Sequence, residues 1–264
     1  MIRSKVMFSL LAALLALLLF CVNLSVQCTM PGNGCVSPQS LMLRIVAAVF
    51  ALRLGGLLLL NVWRTHRYAQ RLAGSAVDLP HTVQAVIDET GIDYRSVVIL
   101  DTRHPLVFCI GFLRPKICFS TGLIDLLPSA QLQAALFHEE YHRRHRDPLL
   151  IMFLDAISKT LFFLPVVGEC SAHLKTAREL AADAYAVEQV GKNALAGALH
   201  RLLSSSPASM DREIGIAAAG MSANRARIAA LLGERHPIPP ISPISLLQSA
   251  AVGVLLCFVL MAQS

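Results

Sequence analysis

Three stretches of this chain, 6–26, 41–63 and 244–261, are nearly unbroken runs of Leu, Ala, Val, Ile, Phe and Met with hardly a charge. Each is close to the roughly 20 apolar residues a helix needs to cross a bilayer. Between them the pattern becomes periodic. Residues 78–90 place Val83, Val86 and Ile87 on one side of an amphipathic helix. Three β-rich pieces follow at 96–101, 106–110 and 116–120, separated by Arg103-His104-Pro105 and by a turn over 111–115. They predict a small antiparallel sheet. From Ser129, placed as the N-terminal cap, the spacing is helical, with Leu132, Leu136 and Phe137 on one face. This helix should run to about Arg146, where Asp147-Pro148 interrupts it. Helices over 172–188 and 194–203 come next, and 234–243, with four prolines, reads as a linker into the last apolar run. A fourth apolar stretch, 148–167, has the length of a span but carries Asp155 and Lys159 four residues apart, so a buried or interfacial helix is expected there.

Composition agrees with this pattern, since 55% hydrophobic and 15% charged residues are too apolar for a soluble chain. The expected class is an α+β membrane protein: a mainly helical domain with a small antiparallel sheet, plus three transmembrane helices. Its parts would be a membrane hairpin over 1–63, a domain over 64–233, the linker 234–243 and a last membrane helix over 244–264. Arg3 and Lys5 precede the first run, but that run is long and lacks a small-residue cleavage site before Cys28, so it reads as an uncleaved anchor.

Charge sets the orientation. The loop 27–40 has no charged residue, whereas Arg64, His66, Arg67 and Arg71 crowd the far end of the second run. The positive-inside rule then places the N-terminus and the central domain in the cytoplasm and the C-terminus outside a plasma membrane. Much of the net charge of +6 lies beside the membrane segments, where it meets anionic lipid; with no nucleic-acid motif in the chain, the bilayer is the expected partner. Of the seven cysteines, Cys28 and Cys35 fall in the outer loop, where a disulfide between them is permitted. Arg53, near the middle of the second run, is costly there unless it snorkels or is paired, and Asp155 is a candidate partner.

The chemistry is concentrated in His138-Glu139-Glu140-Tyr141-His142. On a helix, imidazoles at i and i+4 project from one face a turn apart, which suits two corners of a tetrahedral Zn2+ site. Glu139 lies beside that face, placed to take a proton from a metal-activated water, while Glu140 faces away. A catalytic zinc needs a third protein ligand, and the Ala-rich helix around Glu179 offers one. Asp183, one turn on, is placed to accept the N–H of a ligating histidine. The bland alternative for that helix is a surface element with solvated acids. His145, His173 and His200 are expected to be solvated or structural. Arg178 either stabilises an oxyanion or forms a structural salt bridge.

Together these elements resemble the gluzincin membrane peptidases, a group that includes the HtpX-like, CaaX prenyl protease and BlaR/MecR-type antibiotic-response families. The likeness is carried by the HExxH with the following Arg143-Arg144-His145-Arg146-Asp147 and by Glu179-Leu180-Ala181-Ala182-Asp183. Upstream, Phe108-Cys109-Ile110-Gly111 and Pro115-Lys116-Ile117-Cys118-Phe119-Ser120 are similar to the strand pair before the zinc helix. Downstream, Asn224-Arg225-Ala226-Arg227-Ile228-Ala229-Ala230-Leu231 is similar to a closing Arg-Ile-x-x-Leu element. The resemblance covers 93–232 and looks most similar to the BlaR/MecR type. It implies one Zn2+ per chain on His138, His142 and Glu179, with Glu139 as catalytic base and Asp183 behind a ligand. A protein or peptide substrate would lie as an added strand along Val107, Phe108, Cys109 and Ile110, with Arg178 nearby. The implied activity is hydrolysis of cytoplasmic or membrane-proximal proteins by a membrane-anchored zinc endopeptidase. The alternative is a signal-transducing membrane protein whose zinc domain acts mainly by binding. The sequence ends three residues after Met261, so the extracellular drug-binding domain of the antibiotic-sensing members is not expected.

Overall fold

The computed structural model describes residues 38–77, 81–205, 220–234 and 240–261. The first apolar run, the Cys28–Cys35 pairing and residues 235–239 of the linker lie outside the described residues. The elements are α1 (Pro38–Ala73), β1 (Ala76–Val77), α2 (His81–Thr90), β2 (Val97–Leu100), β3 (Val107–Ile110), β4 (Lys116–Ser120), α3 (Thr121–Leu126), α4 (Ser129–His145), α5 (Asp147–Thr160), α6 (Pro165–Val190), α7 (Lys192–Ser205), α8 (Gly220–Leu231) and α9 (Pro243–Met261). The chain divides into two compact units, one of Met1–Leu60, Phe153–Leu174 and Pro240–Ser264, the other of Asn61–Met152 and Lys175–Pro239.

In the first unit the apolar positions are collected on long helices. Among the described residues one helix segment, Arg44–Leu72, is long and apolar enough to cross a membrane by length and composition, and a shorter apolar segment covers Pro243–Leu256. Helix α1 runs on past Arg64, Arg67 and Arg71, because its backbone bonds continue where the apolar composition stops. The stretch 148–167 is not one helix. Helix α5 ends at Thr160 after 14 residues, about 21 Å at 1.5 Å per residue, against about 30 Å of hydrocarbon core. Leu161, Leu164 and Val167 then pack with Phe50, Phe163 and Val252. Arg53 donates to the backbone carbonyl of Lys159 over 3.1 and 3.3 Å, with its guanidinium 5.2 Å from the centre of the Phe162 ring. A carbonyl in the last turn of α5 has no helical partner, so it is free to accept the guanidinium's protons.

The second unit contains the sheet, which is mixed and not antiparallel as the strand spacing predicted. Its order is β1-β2-β4-β3. β3 and β4 form the expected antiparallel hairpin, but β2 pairs with β4 in parallel, Val97 to Leu100 against Ile117 to Ser120. The loop after β2 carries the chain across the sheet instead of back along it, and the buried Ser120 holds that loop. Its hydroxyl accepts the N–H of Leu106 at 2.9 Å, donates to the carbonyl of His104 at 2.6 Å and caps α3 through the N–H of Leu123 at 3.1 Å. Gly122 follows because a Cβ there would stand 2.0 Å from the carbonyl oxygen of Arg103. β3 is left as an edge strand.

Helix α4 is buried on two sides. Leu132 and Leu136 pack with Val83, Ile87, Ile99, Ile117 and Phe119, which belong to α2 and the sheet. Ala134 and Phe137 pack with Ala186, Leu195 and Leu231 from α6, α7 and α8. Burial on both faces is what lets a helix with a polar C-terminal half hold its ionisable side chains inside the protein. Ser129 is the first helical residue and not the cap; Pro128 holds that position without a side-chain bond, its carbonyl receiving the N–H groups of Gln131 and Leu132. The helix stops at Arg146, whose left-handed φ of 52° turns the chain into α5.

Candidate metal centre

Among the described residues, His138, His142 and Glu179 are the group whose potential ligand atoms converge. The Nε2 atoms of the two histidines stand 3.1 Å apart, and Glu179 brings Oε2 to 3.3 Å from His138 Nε2 and Oε1 to 3.5 Å from His142 Nε2. Zinc bonds of about 2.0–2.1 Å put the corners of a tetrahedron about 3.3 Å apart. The three residues therefore already have the spacing of a shared Zn2+ shell.

The outer nitrogens strengthen this fit. His142 Nδ1 lies 2.7 Å from Asp147 Oδ2, and His138 Nδ1 lies 2.9 Å from Asp183 Oδ1, the latter a bent approach off the ring N–H axis. Each carboxylate calls for a proton on Nδ1, which leaves both Nε2 lone pairs and the Glu179 carboxylate aimed at one point. Three acceptors meeting there need a cation. In the metal-free chain a proton serves. Burial and the charge of Arg227 oppose a proton on His138, but its contacts with Asp183 and Glu179 prevail and push it up to about 9. Burial raises Glu179, yet the His138 bond and the neighbouring positive charges hold it down at about 2.

Each orienting carboxylate is gripped by an arginine. Asp147, almost wholly buried, takes Arg178 Nε at 2.8 Å and Nη2 at 2.7 Å. Of the two roles open to Arg178 from the sequence, it therefore takes the salt bridge, with its guanidinium also 4.8 Å from the centre of the Tyr141 ring. Asp183 is forked by Arg227, Nε on Oδ2 and Nη2 on Oδ1, both at 2.7 Å, and Arg227 Nη1 stands 3.5 Å from Glu179 Oε2. Asp147 read in the sequence as a helix break and as the end of the segment that carries the resemblance, and Arg227 as part of the closing element, neither with a role at the site. The Arg-Asp pair five residues after the HExxH was the available signal for the first; nothing local marks the second.

Glu139 is buried, and desolvation raises its pKa while the two histidines oppose the shift. That is the direction a proton-accepting group needs if it is to work near neutrality. Glu140 does face away from the histidines, but into protein: it is 1% exposed and binds Arg143 at 2.5 and 2.8 Å and Arg144 at 2.6 Å. Val107, Phe108, Cys109 and Ile110 form the edge strand β3, which packs on α4. Burial raises the Cys109 thiol, and the negative charge of Glu139 adds to the shift. His145 is exposed and bonded to the Tyr141 carbonyl at 2.8 Å; His173 is half-buried and His200 exposed, all outside the converging group.

A family model described as Peptidase family M48 matches residues 73–238. A protein named Protease HtpX homolog, from Thermoanaerobacter pseudethanolicus, is 30% identical over 89 residues, 33% of this chain and 29% of that protein. Another named Regulatory protein BlaR1, from Bacillus licheniformis, is 30% identical over 95 residues, 35% of this chain and 16% of that protein. The chain thus spans less than a third of the length of either relative.

Proposed function

Because the chain belongs to peptidase family M48, we propose that it is a membrane-anchored, zinc-dependent endopeptidase that cleaves cytoplasmic or membrane-proximal proteins. The observation that carries this reading is the convergence of His138, His142 and Glu179 on one point beside the buried Glu139. The two histidines and Glu179 would hold one Zn2+, which when bound supplies Lewis-acid polarisation of a scissile carbonyl and acidifies a water. Asp147 and Asp183 keep the imidazoles in the tautomer that turns Nε2 inward. Glu139 takes the proton of the attacking water and returns it to the departing amine nitrogen. The edge strand Val107–Ile110 binds the substrate backbone as an added strand, a mode that tolerates many sequences.

The membrane arrangement belongs to the same proposal: three spans, N-terminus and metal domain in the cytoplasm of a plasma-membrane protein, C-terminus outside. The long apolar segment Arg44–Leu72 supports it. The alternative, a signal-transducing protein that only binds, has no use for a buried carboxylate next to the ligands. The test is metal content and cleavage together. Purified protein should carry about one zinc per chain, and Glu139→Gln should keep that zinc while losing cleavage of an unfolded protein by about 10²-fold or more. Wild-type protein that takes up no zinc would end the reading.

A further inference from the structure

We propose that Arg227 is a positioning residue of the metal centre, making α8 part of the site. The inference rests on the zinc peptidase reading above and adds to it a residue outside the ligand set and outside the two ligand helices. Helix α4 supplies both histidines, α6 supplies Glu179 and Asp183, and Arg178 braces Asp147 from the position next to Glu179. The brace on the other histidine comes from elsewhere. Arg227 reaches Asp183 from α8, 44 residues further along the chain.

Its contacts divide the work unusually for one side chain. Two nitrogens fork both oxygens of Asp183 at 2.7 Å, and the third stands 3.5 Å from Glu179 Oε2. Asp183 Oδ1 is shared between Arg227 and His138 Nδ1. The guanidinium plane therefore fixes the carboxylate that fixes the imidazole, and also sets a charge against the third ligand. A planar fork can do this; a single ammonium cannot hold both Asp183 oxygens and face Glu179 at once. Arg227 and Asp183 side chains are 14% and 6% exposed, so water does not replace the bond when it is lost. Ala226 is buried, and Leu231 packs with Phe137 and Ala186, which holds α8 where the fork can close.

The test compares zinc affinity, by competition with a chromophoric chelator, and the visible spectrum of the Co2+-loaded protein for wild type, Arg227→Gln, Arg227→Lys and Leu231→Ala. Arg227→Gln should bind zinc about 10- to 100-fold more weakly, the size of effect expected when the partner orienting a metal-bound histidine is disturbed. Its cobalt bands should change in position or intensity. Arg227→Lys should recover only part of the affinity. Leu231→Ala, which loosens the packing of α8 but keeps the guanidinium, should lower the melting temperature of the metal-free protein while holding zinc within about threefold of wild type. The proposal is overturned if Arg227→Gln binds zinc within about twofold of wild type with an unchanged cobalt spectrum. It is equally overturned if Arg227→Lys restores affinity fully, or if Leu231→Ala weakens zinc as much as Arg227→Gln does. Those results leave the peptidase reading standing, whereas wild-type protein that binds neither metal removes both.

Discussion

Zinc uptake by this chain should release a proton, and the structure gives the size of the coupling. In the metal-free protein His138 is pushed up to about 9, so at pH 7 the ring is protonated at the point where the metal would sit. Zinc must displace that proton. Two pH units between 7 and 9 correspond to about 2.7 kcal/mol, so the apparent zinc affinity at pH 7 should lie about a hundredfold below its limiting value. Between pH 6 and 8 it should rise about tenfold per unit, with about one proton released per zinc. Calorimetric titration in two buffers of different ionisation enthalpy measures the proton, and chelator competition measures the slope. An affinity that changes less than about threefold across pH 6 to 8 would refute the reasoning.

The same interaction stabilises the metal-free fold, and its pH window follows from the two directions of shift. His138, raised from its ordinary 6.5, contributes fully below that value and loses its contribution as pH rises through about 9. Glu179, depressed from 4.5, contributes above that value and loses its contribution as pH falls through about 2. Both describe one interaction seen from its two ends, so they are counted once. Asp183→Asn removes the charge that supports the proton on His138. The affinity slope above pH 7 should then flatten while zinc binding at pH 8 weakens about 10- to 100-fold.

Asp147→Ala strands the guanidinium of Arg178 and the Nδ1–H of His142, and should cost about 2 kcal/mol of metal-free stability, read as a lower melting temperature in detergent; an unchanged melt would show the pair is solvated. Ser120→Ala deletes two bonds to backbone groups of the loop before β3 and the cap on α3, and should cost about 2–3 kcal/mol by the same measurement. Gly122→Ala must push a Cβ against the Arg103 carbonyl, 2.0 Å away, and should be worse than Ser120→Ala, at about 3 kcal/mol or more. Reporter fusions near Asp147 and near Lys175 should both register the cytoplasm and one after Ser264 the outside. Opposite answers at the two internal positions would contradict a site shared by His142 and Glu179.

The HExxH, Glu179 and Asp183 were legible in the sequence because helical periodicity is a local rule. Residues four apart share a face whatever surrounds them, so both pairs could be matched to a tetrahedral ion and its outer partner before any fold was known. The helical character of the second and third apolar runs was legible for the same reason, as was the break at Arg146 before Asp147-Pro148. The sheet was not. Whether β2 pairs with β4 in parallel or with β3 in a meander depends on where the loop 101–106 lands, and that is decided by the buried hydroxyl of Ser120, fourteen residues beyond the chain it binds at Leu106. Nor could the sequence say that Arg178 belongs to Asp147, 31 residues away, or Arg227 to Asp183, 44 residues away. Many arginines on the chain could pair with an acid; only the packing of α4 between the sheet and α6 to α8 removes water from these two pairs and makes the choice. Local geometry thus named the candidate ligands, and tertiary burial decided which charges surround them.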